Sequence, residues 1–271
     1  MINDTYEEAK RICEEIAATF ETPRFYREKS GEVDDSRRLF ENNPIVQSCL
    51  DILAKNKSSY GHGLSHARKV AIDSGAIVLI EGTHTAKGVT LKRMVFLAHL
   101  AGVLHDIKRS HNDHAIEGAK EAGKILKGFD LGDDERKAIS QSIENHEAFK
   151  PCHPLANPTD QLLSDALYDA DKFRWGPDNF TEMIWDIIIP RKIPISTVLD
   201  HFIPGLEGIE KIRDTFRTTT GKEYGPDFID IGLKIGRKLY SELKMKNNKI
   251  DLRKSQKSDR VQQGFSSRSL R

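Results

Sequence analysis

Residues 91–106, LKRMVFLAHLAGVLHD, constrain this chain more than any other stretch. Met94, Val95, Phe96, Leu97, Ala98, Leu100, Val103 and Leu104 make a helix here apolar almost all the way round. Such a helix cannot lie on a surface; it needs neighbours on every side, as in the middle of a helical bundle. The run ends on an imidazole beside a carboxylate, His105 and Asp106, with Lys108 and Arg109 close behind. Burying that pair costs several kcal/mol unless each group finds a partner.

The rest of the chain supplies the neighbours. Apolar residues recur at helical spacing over 4–18, 36–55, 64–80, 112–127, 133–147, 160–173, 179–188, 196–217 and 227–246. No stretch alternates like a strand with hairpin chemistry, no repeat is present, and VLI at 78–80 and IIIP at 187–190 are too short for strands. The breaks carry loop residues, most clearly the proline-rich PCHPLANP at 151–158. The expectation is an all-α chain, with one helical domain over residues 1–246 and a tail over 247–271. With 271 residues and 38% apolar content, the chain is long enough for one sizeable core.

Charge is uneven along the chain. The tail holds seven Lys/Arg against two Asp, so the net charge of +1 leaves the body slightly acidic. A slightly acidic body disfavours extended binding to a nucleic-acid backbone, which needs a basic face. The Ser, Gln, Lys and Arg of the tail suggest a disordered, solvated end. Cys13, Cys49 and Cys152 are far apart and form neither a disulfide framework nor a zinc-finger spacing. No signal peptide and no apolar run of membrane-spanning length is expected, which makes a reducing cytoplasm the default compartment.

The polar residues on apolar faces carry the chemistry. Counting back from His105 by helical steps gives Ala101, Ala98 and Met94, an inward stripe. His66 opens a stripe with Val70 and Ile77; His114 is followed by Gly118, Ala122 and Ile125. His146 follows Ile139 and Ile143, and Asp171 follows Leu163 and Leu167. A lone histidine on an apolar face is more often a hydrogen-bonded core residue than a ligand. Five helices that each bring such a group to an apolar face change that balance. Neutral imidazole and carboxylate suit Zn, Fe, Mn, Co or Ni, and helix bundles build metal sites from facing helices.

At these residues the chain resembles the HD-domain superfamily of metal-dependent phosphohydrolases. The pattern H…HD…D reads here as His66 in GHGLSHARKVA, His105-Asp106 in GVLHDIKRS and Asp171 in LYDADKFRW, covering roughly residues 60–175. The histidines of NDHAIEGAK (His114) and SIENHEAF (His146) are similar to those that hold a second metal in the binuclear branch, which includes enzymes acting on dinucleoside tetraphosphates. GHGLSH resembles the opening of small HD hydrolases and would bring His62 near the site, unless His62 is simply a polar residue before the helix. Lys108 stands where the family often has Gly, and the His-His and G-Y-P signatures of cyclic-dinucleotide phosphodiesterases are absent.

The resemblance implies an HD helical bundle with additional N- and C-terminal helices. It implies one or two divalent ions, Fe, Mn, Co, Ni or Zn with Mg admitted. His66, His105, Asp106 and Asp171 would hold one ion; His114 and His146, sharing Asp106, the second. The implied activity is hydrolysis of a phosphoester or phosphoanhydride of a nucleotide or similar small phosphate by water activated on the metal. Lys108 and Lys172 would contact phosphate, with complementing a helix C-terminus as their structural alternative. Asp169 would orient a ligating histidine. Trp175 and Phe173 are candidates to stack a base or to fill the core. Two other functions use the same residues: a di-iron oxygenase on the HD fold, and a non-catalytic regulatory module. No membrane partner is expected, and the sequence leaves the oligomeric state open.

Overall fold

The computed structural model describes the backbone of residues 2–55, 63–83 and 88–266, with side chains between 5 and 247. In chain order the helices are α1 (Ile2–Ala17), α2 (Arg24–Glu28), α3 (Ser30–Glu41), α4 (Pro44–Lys55), α5 (Leu64–Gly82) and α6 (Val89–Leu104). There follow α7 (His114–Leu126), α8 (Asp133–Glu144), α9 (Pro158–Phe173), a π-helical turn at Asn179–Met183, α10 (Ile184–Ile188), α11 (Ile195–Ile212) and α12 (Thr219–Ser266). Among the described residues there is no strand, so the protein is all-α. No described helix is long and apolar enough to cross a membrane.

The apolar helix α6 lies at the centre, and every residue from Met94 to Leu104 is buried. It packs against α4, α5, α8 and α9, while α3 covers α5 and α7 pairs with α8. The α5–α6 pair is antiparallel and very close. A methyl group on Gly102 would stand 2.4 Å from Cα of Ala71, and one on Gly75 would meet the His99 ring. Backbone therefore touches backbone one turn away from His105. His99, on the face of α6 turned to α3, is a core histidine: its Nε2 lies 2.9 Å from Ser36 Oγ and its ring packs edge-on against Phe40.

Several expected boundaries move. The stretch 36–55 is two helices, because Pro44 cannot continue α3 and instead starts α4. Asn43 caps α4, its Oδ1 accepting from the backbone N–H of Ile45 at 3.0 Å and of Val46 at 3.2 Å. Helix α2 was not anticipated, and the helix expected over 196–217 stops at Ile212. Helix α12 starts at Thr219, before Pro226, and continues through Ser266. The expected helix end at 246 is therefore passed, the backbone of α12 continuing through Ser266. Lys, Arg, Gln and Leu are good helix formers, which favours the continuation.

Candidate metal centre

The six candidate ligands all come from the ends of helices. His66 is the third residue of α5 and His114 the first of α7, while Asp171 lies in the last turn of α9. His105 and Asp106 form the turn after α6, and His146 lies two residues beyond α8. All six are buried, with exposures of 8% or less. The close α5–α6 contact brings His66 and His105 together, and the α7–α8 pair brings His114 beside His146, with ring centroids 5.2 Å apart.

Their ligand atoms converge. His66 Nε2 stands 3.2 Å from His105 Nε2 and 3.3 Å from Asp171 Oδ1. His105 Nε2 lies 3.5 Å from Asp106 Oδ2 and 3.6 Å from Asp171 Oδ1. Across Asp106, His146 Nε2 is 3.5 Å and His114 Nε2 3.7 Å from Oδ1. Two overlapping triads, His66–His105–Asp171 and His105–Asp106–His146, each bring three ligand atoms within 4.8 Å of one another.

Neighbours fix three of the imidazoles with Nε2 turned to the centre. His105 Nδ1–H donates to the Gly102 carbonyl at 2.8 Å, and His146 Nδ1–H to that of Ile143 at 2.6 Å. His114 Nδ1 meets Glu147 Oε1 at 2.9 Å. On its other side Arg109 Nη1 donates to His114 Nε2 at 2.7 Å, so this nitrogen presents a lone pair. An oxygen accepting from Nδ1–H, with Nε2 turned to the centre, is the arrangement metal-bound histidines use.

The electrostatics gather positive charge at the acids. Burial holds His66 below its ordinary value. Burial also pulls His105 down, but Asp106 and Asp171 outweigh it and hold His105 up. Burial opposes ionisation of the acids, yet His105, His146 and Arg109 keep Asp106 well below the carboxylate range, and Lys172, His105 and His66 do the same for Asp171. His114 is pushed down to about 4, chiefly by burial. Two buried imidazole nitrogens 3.2 Å apart, beside two ionised carboxylates, can share a positive charge, a proton on His105 or a metal ion. Nitrogen and oxygen donors of this kind suit a divalent transition metal, and the residues fit one.

The other expected site residues are placed differently. Lys108 turns away to Glu121 Oε2, 3.7 Å off, and the cation at the site is its neighbour Arg109. Lys172 is at the site, but its Nζ is held by Asp171 Oδ2 at 2.6 Å. Asp169 does not orient a ligand. Its Oδ1 accepts from the Arg217 N–H and its Oδ2 from the Thr218 N–H, both at 2.8 Å, and Oδ2 also from the Thr218 hydroxyl at 2.7 Å. It ties α9 to the start of α12, and burial pushes it up to about 7. Phe173 is core, stacked on Phe228 at 4.2 Å. His62 lies outside the described residues.

Sequence reasoning missed Glu147 and did not name Arg109 as a site residue. Glu147 directly follows His146, but only the fold turns it onto His114. Asn145 also went unnoticed: it exchanges hydrogen bonds with the backbone of His153 at 2.8 and 2.9 Å, tying the proline-rich loop to the end of α8.

A cavity of about 290 Å³ opens on Asp106, His114, His146 and Asp171. Arg109 and Lys172 line it with Trp175 and Phe149. A larger cavity of about 630 Å³ lies under the N-terminal helices, away from these histidines. Its floor is a closed ionic network: Arg174 Nη2 donates to Asp73 Oδ2 and to the Tyr26 hydroxyl, both at 2.5 Å, and Nη1 to Asp178.

Fold and site together define an all-α protein whose buried His/Asp cluster could hold a metal ion. No protein-family model, curated protein or solved structure matches the chain.

Proposed function

We propose that this chain is a metal-dependent phosphohydrolase of the HD type, acting on a nucleotide or similar small phosphate. The observation that carries the proposal is the convergence of six residues, the four of the H…HD…D pattern and the two added histidines, of which Asp106, His114, His146 and Asp171 line one cavity with two cations on its wall. A divalent ion held by such a set supplies a nucleophile by lowering the pKa of bound water, and neutralises charge on the phosphoryl oxygens.

The chain's own residues have separable tasks. Asp106 and Asp171 provide the anionic ligands, and Lys172, on Asp171, keeps that carboxylate ionised. Glu147 holds the His114 ring in the tautomer whose Nε2 is an acceptor, taken by Arg109 Nη1 here and able to coordinate a metal once Arg109 turns to the phosphoryl group. Arg109 faces the cavity beside Asp106, its Nε 3.8 Å from Oδ2, where a guanidinium can steady a phosphoryl group.

The test is elemental analysis of protein purified without chelator, together with phosphate release from a panel of mono-, di- and dinucleoside phosphates. About one or two ions per chain and phosphate release from some member are expected, with His146→Ala losing about one ion. A metal-replete protein inactive on the whole panel sinks the proposal. Substrate-dependent oxygen uptake by the iron-loaded, reduced protein would transfer the site to the oxygenase class.

A further inference from the structure

Resting on that reading, we infer that the substrate is the monophosphate ester of an aromatic alcohol, one phosphoryl group on a flat apolar body. A nucleoside polyphosphate does not match this cavity.

Charge limits the number of phosphoryl groups. The cavity lining carries two cations, Arg109 and Lys172, against three acids, Asp106, Glu147 and Asp171. One divalent ion brings that lining to a net charge of about +1, and two bring it to about +3. A phosphate monoester carries about −1.5 to −2 near neutral pH, so with one divalent ion the lining is closest in charge to a single phosphoryl group. Each further phosphoryl group adds negative charge, and neighbouring cations are committed elsewhere. Lys108 faces Glu121, and Arg174 is held by Asp73 and Asp178.

The wall selects the body. Beyond the ligands and their charged neighbours, the cavity is bounded by Phe149, Trp175, Met183 and Ile212. Among the described residues lining it there is no Asn, Gln, Ser, Thr or Tyr side chain with which to read the edge of a nucleobase. Ring faces and a thioether instead favour a flat apolar group. At about 290 Å³ the cavity also lies at the small end of ligand sites.

Phe149 points to the same conclusion independently. Its backbone has φ +62°, a left-handed conformation that is costly for a bulky side chain, and the ring is 67% exposed at the cavity mouth. Strain and exposed apolar area are both tolerated to hold an aromatic ring at this place, and such costs cluster at ligand sites.

The reaction is hydrolysis: a water oxygen bonds to phosphorus, the ester P–O bond breaks, and the alcohol leaves with a proton from that water, releasing inorganic phosphate.

Benzyl phosphate, glycerol phosphate, AMP, ATP and a dinucleoside tetraphosphate should be compared on metal-analysed protein, since benzyl alcohol and the polar alcohols are similar leaving groups. The inference expects kcat/KM for benzyl phosphate about tenfold or more above the others. In Phe149→Ala, KM for benzyl phosphate should rise about five- to tenfold while metal content stays unchanged. Independently of turnover, calorimetry should show benzylphosphonate binding about tenfold more tightly than methylphosphonate. Faster hydrolysis of ATP or the dinucleoside tetraphosphate, or equal binding of the two phosphonates, overturns this inference and leaves the phosphohydrolase standing. Failure of every substrate on metal-replete protein overturns both.

Discussion

His99 and His114 show how one residue type serves two ends. Both are buried, but His99 meets only a serine and an aromatic ring, whereas His114 meets an acid, an arginine and two other ligands. Burial pushes His99 down to about 3, so between pH about 6.5 and about 3 the unfolded chain takes up a proton that the folded chain refuses. Stability is therefore full above pH 6.5 and falls on acidification, by up to about 1.4 kcal/mol per pH unit from this residue. His99→Gln should flatten that slope in denaturant titrations run from pH 7 to pH 4; an unchanged slope would remove His99 as the cause. For Glu147, the neighbour of His114, Glu147→Ala should weaken metal binding about 10- to 100-fold in competition titrations, without loss of helix content by circular dichroism. Five of the six residues were legible because each continues an apolar stripe, and Asp106 through the resemblance of His105-Asp106 to the H…HD…D pattern. Glu147 was not, because its target lies on another helix.

At the scale of elements, the α5–α6 contact sets the spacing of the centre. Gly102 lets the two helices meet backbone to backbone, and Ala71 offers no flexible side chain that could move aside. Gly102→Ala should push the pair apart, costing about 1–3 kcal/mol in denaturant melts. It should also weaken metal binding although it alters no ligand, because His66 and His105 sit on the separated helices. The central burial of α6 was legible, since an all-round apolar helix has no other place to go. The α3–α4 break was missed despite Asn43-Pro44, because apolar spacing continues across it. The Asp169 bracket between α9 and α12 could not be read at all; its partners Arg217 and Thr218 lie nearly fifty residues away.

For the whole molecule, a metal at this place would join the ends of five helices, α5 to α9. Binding only to the folded chain, it adds stability by mass action, about 3–4 kcal/mol at 100 to 1,000 times its Kd. Removal by chelator should therefore lower the melting temperature by roughly 5–15 °C, and adding back a transition metal should restore it. A melting temperature indifferent to chelator and to added metal would argue against a resident ion.

The sequence by itself determined the all-α class, the central place of α6 and the identities of the six converging residues. The first two follow from helical period and the cost of burying polar groups, which act within a few residues, and the third from these together with the resemblance to the H…HD…D pattern. Tertiary structure decided which cation faces the cavity, that Asp169 serves the fold, that Glu147 orients His114, and that the wall is aromatic. Each depends on the direction in which a helix end points relative to helices distant in the chain. No periodicity encodes that direction; packing around α6 sets it.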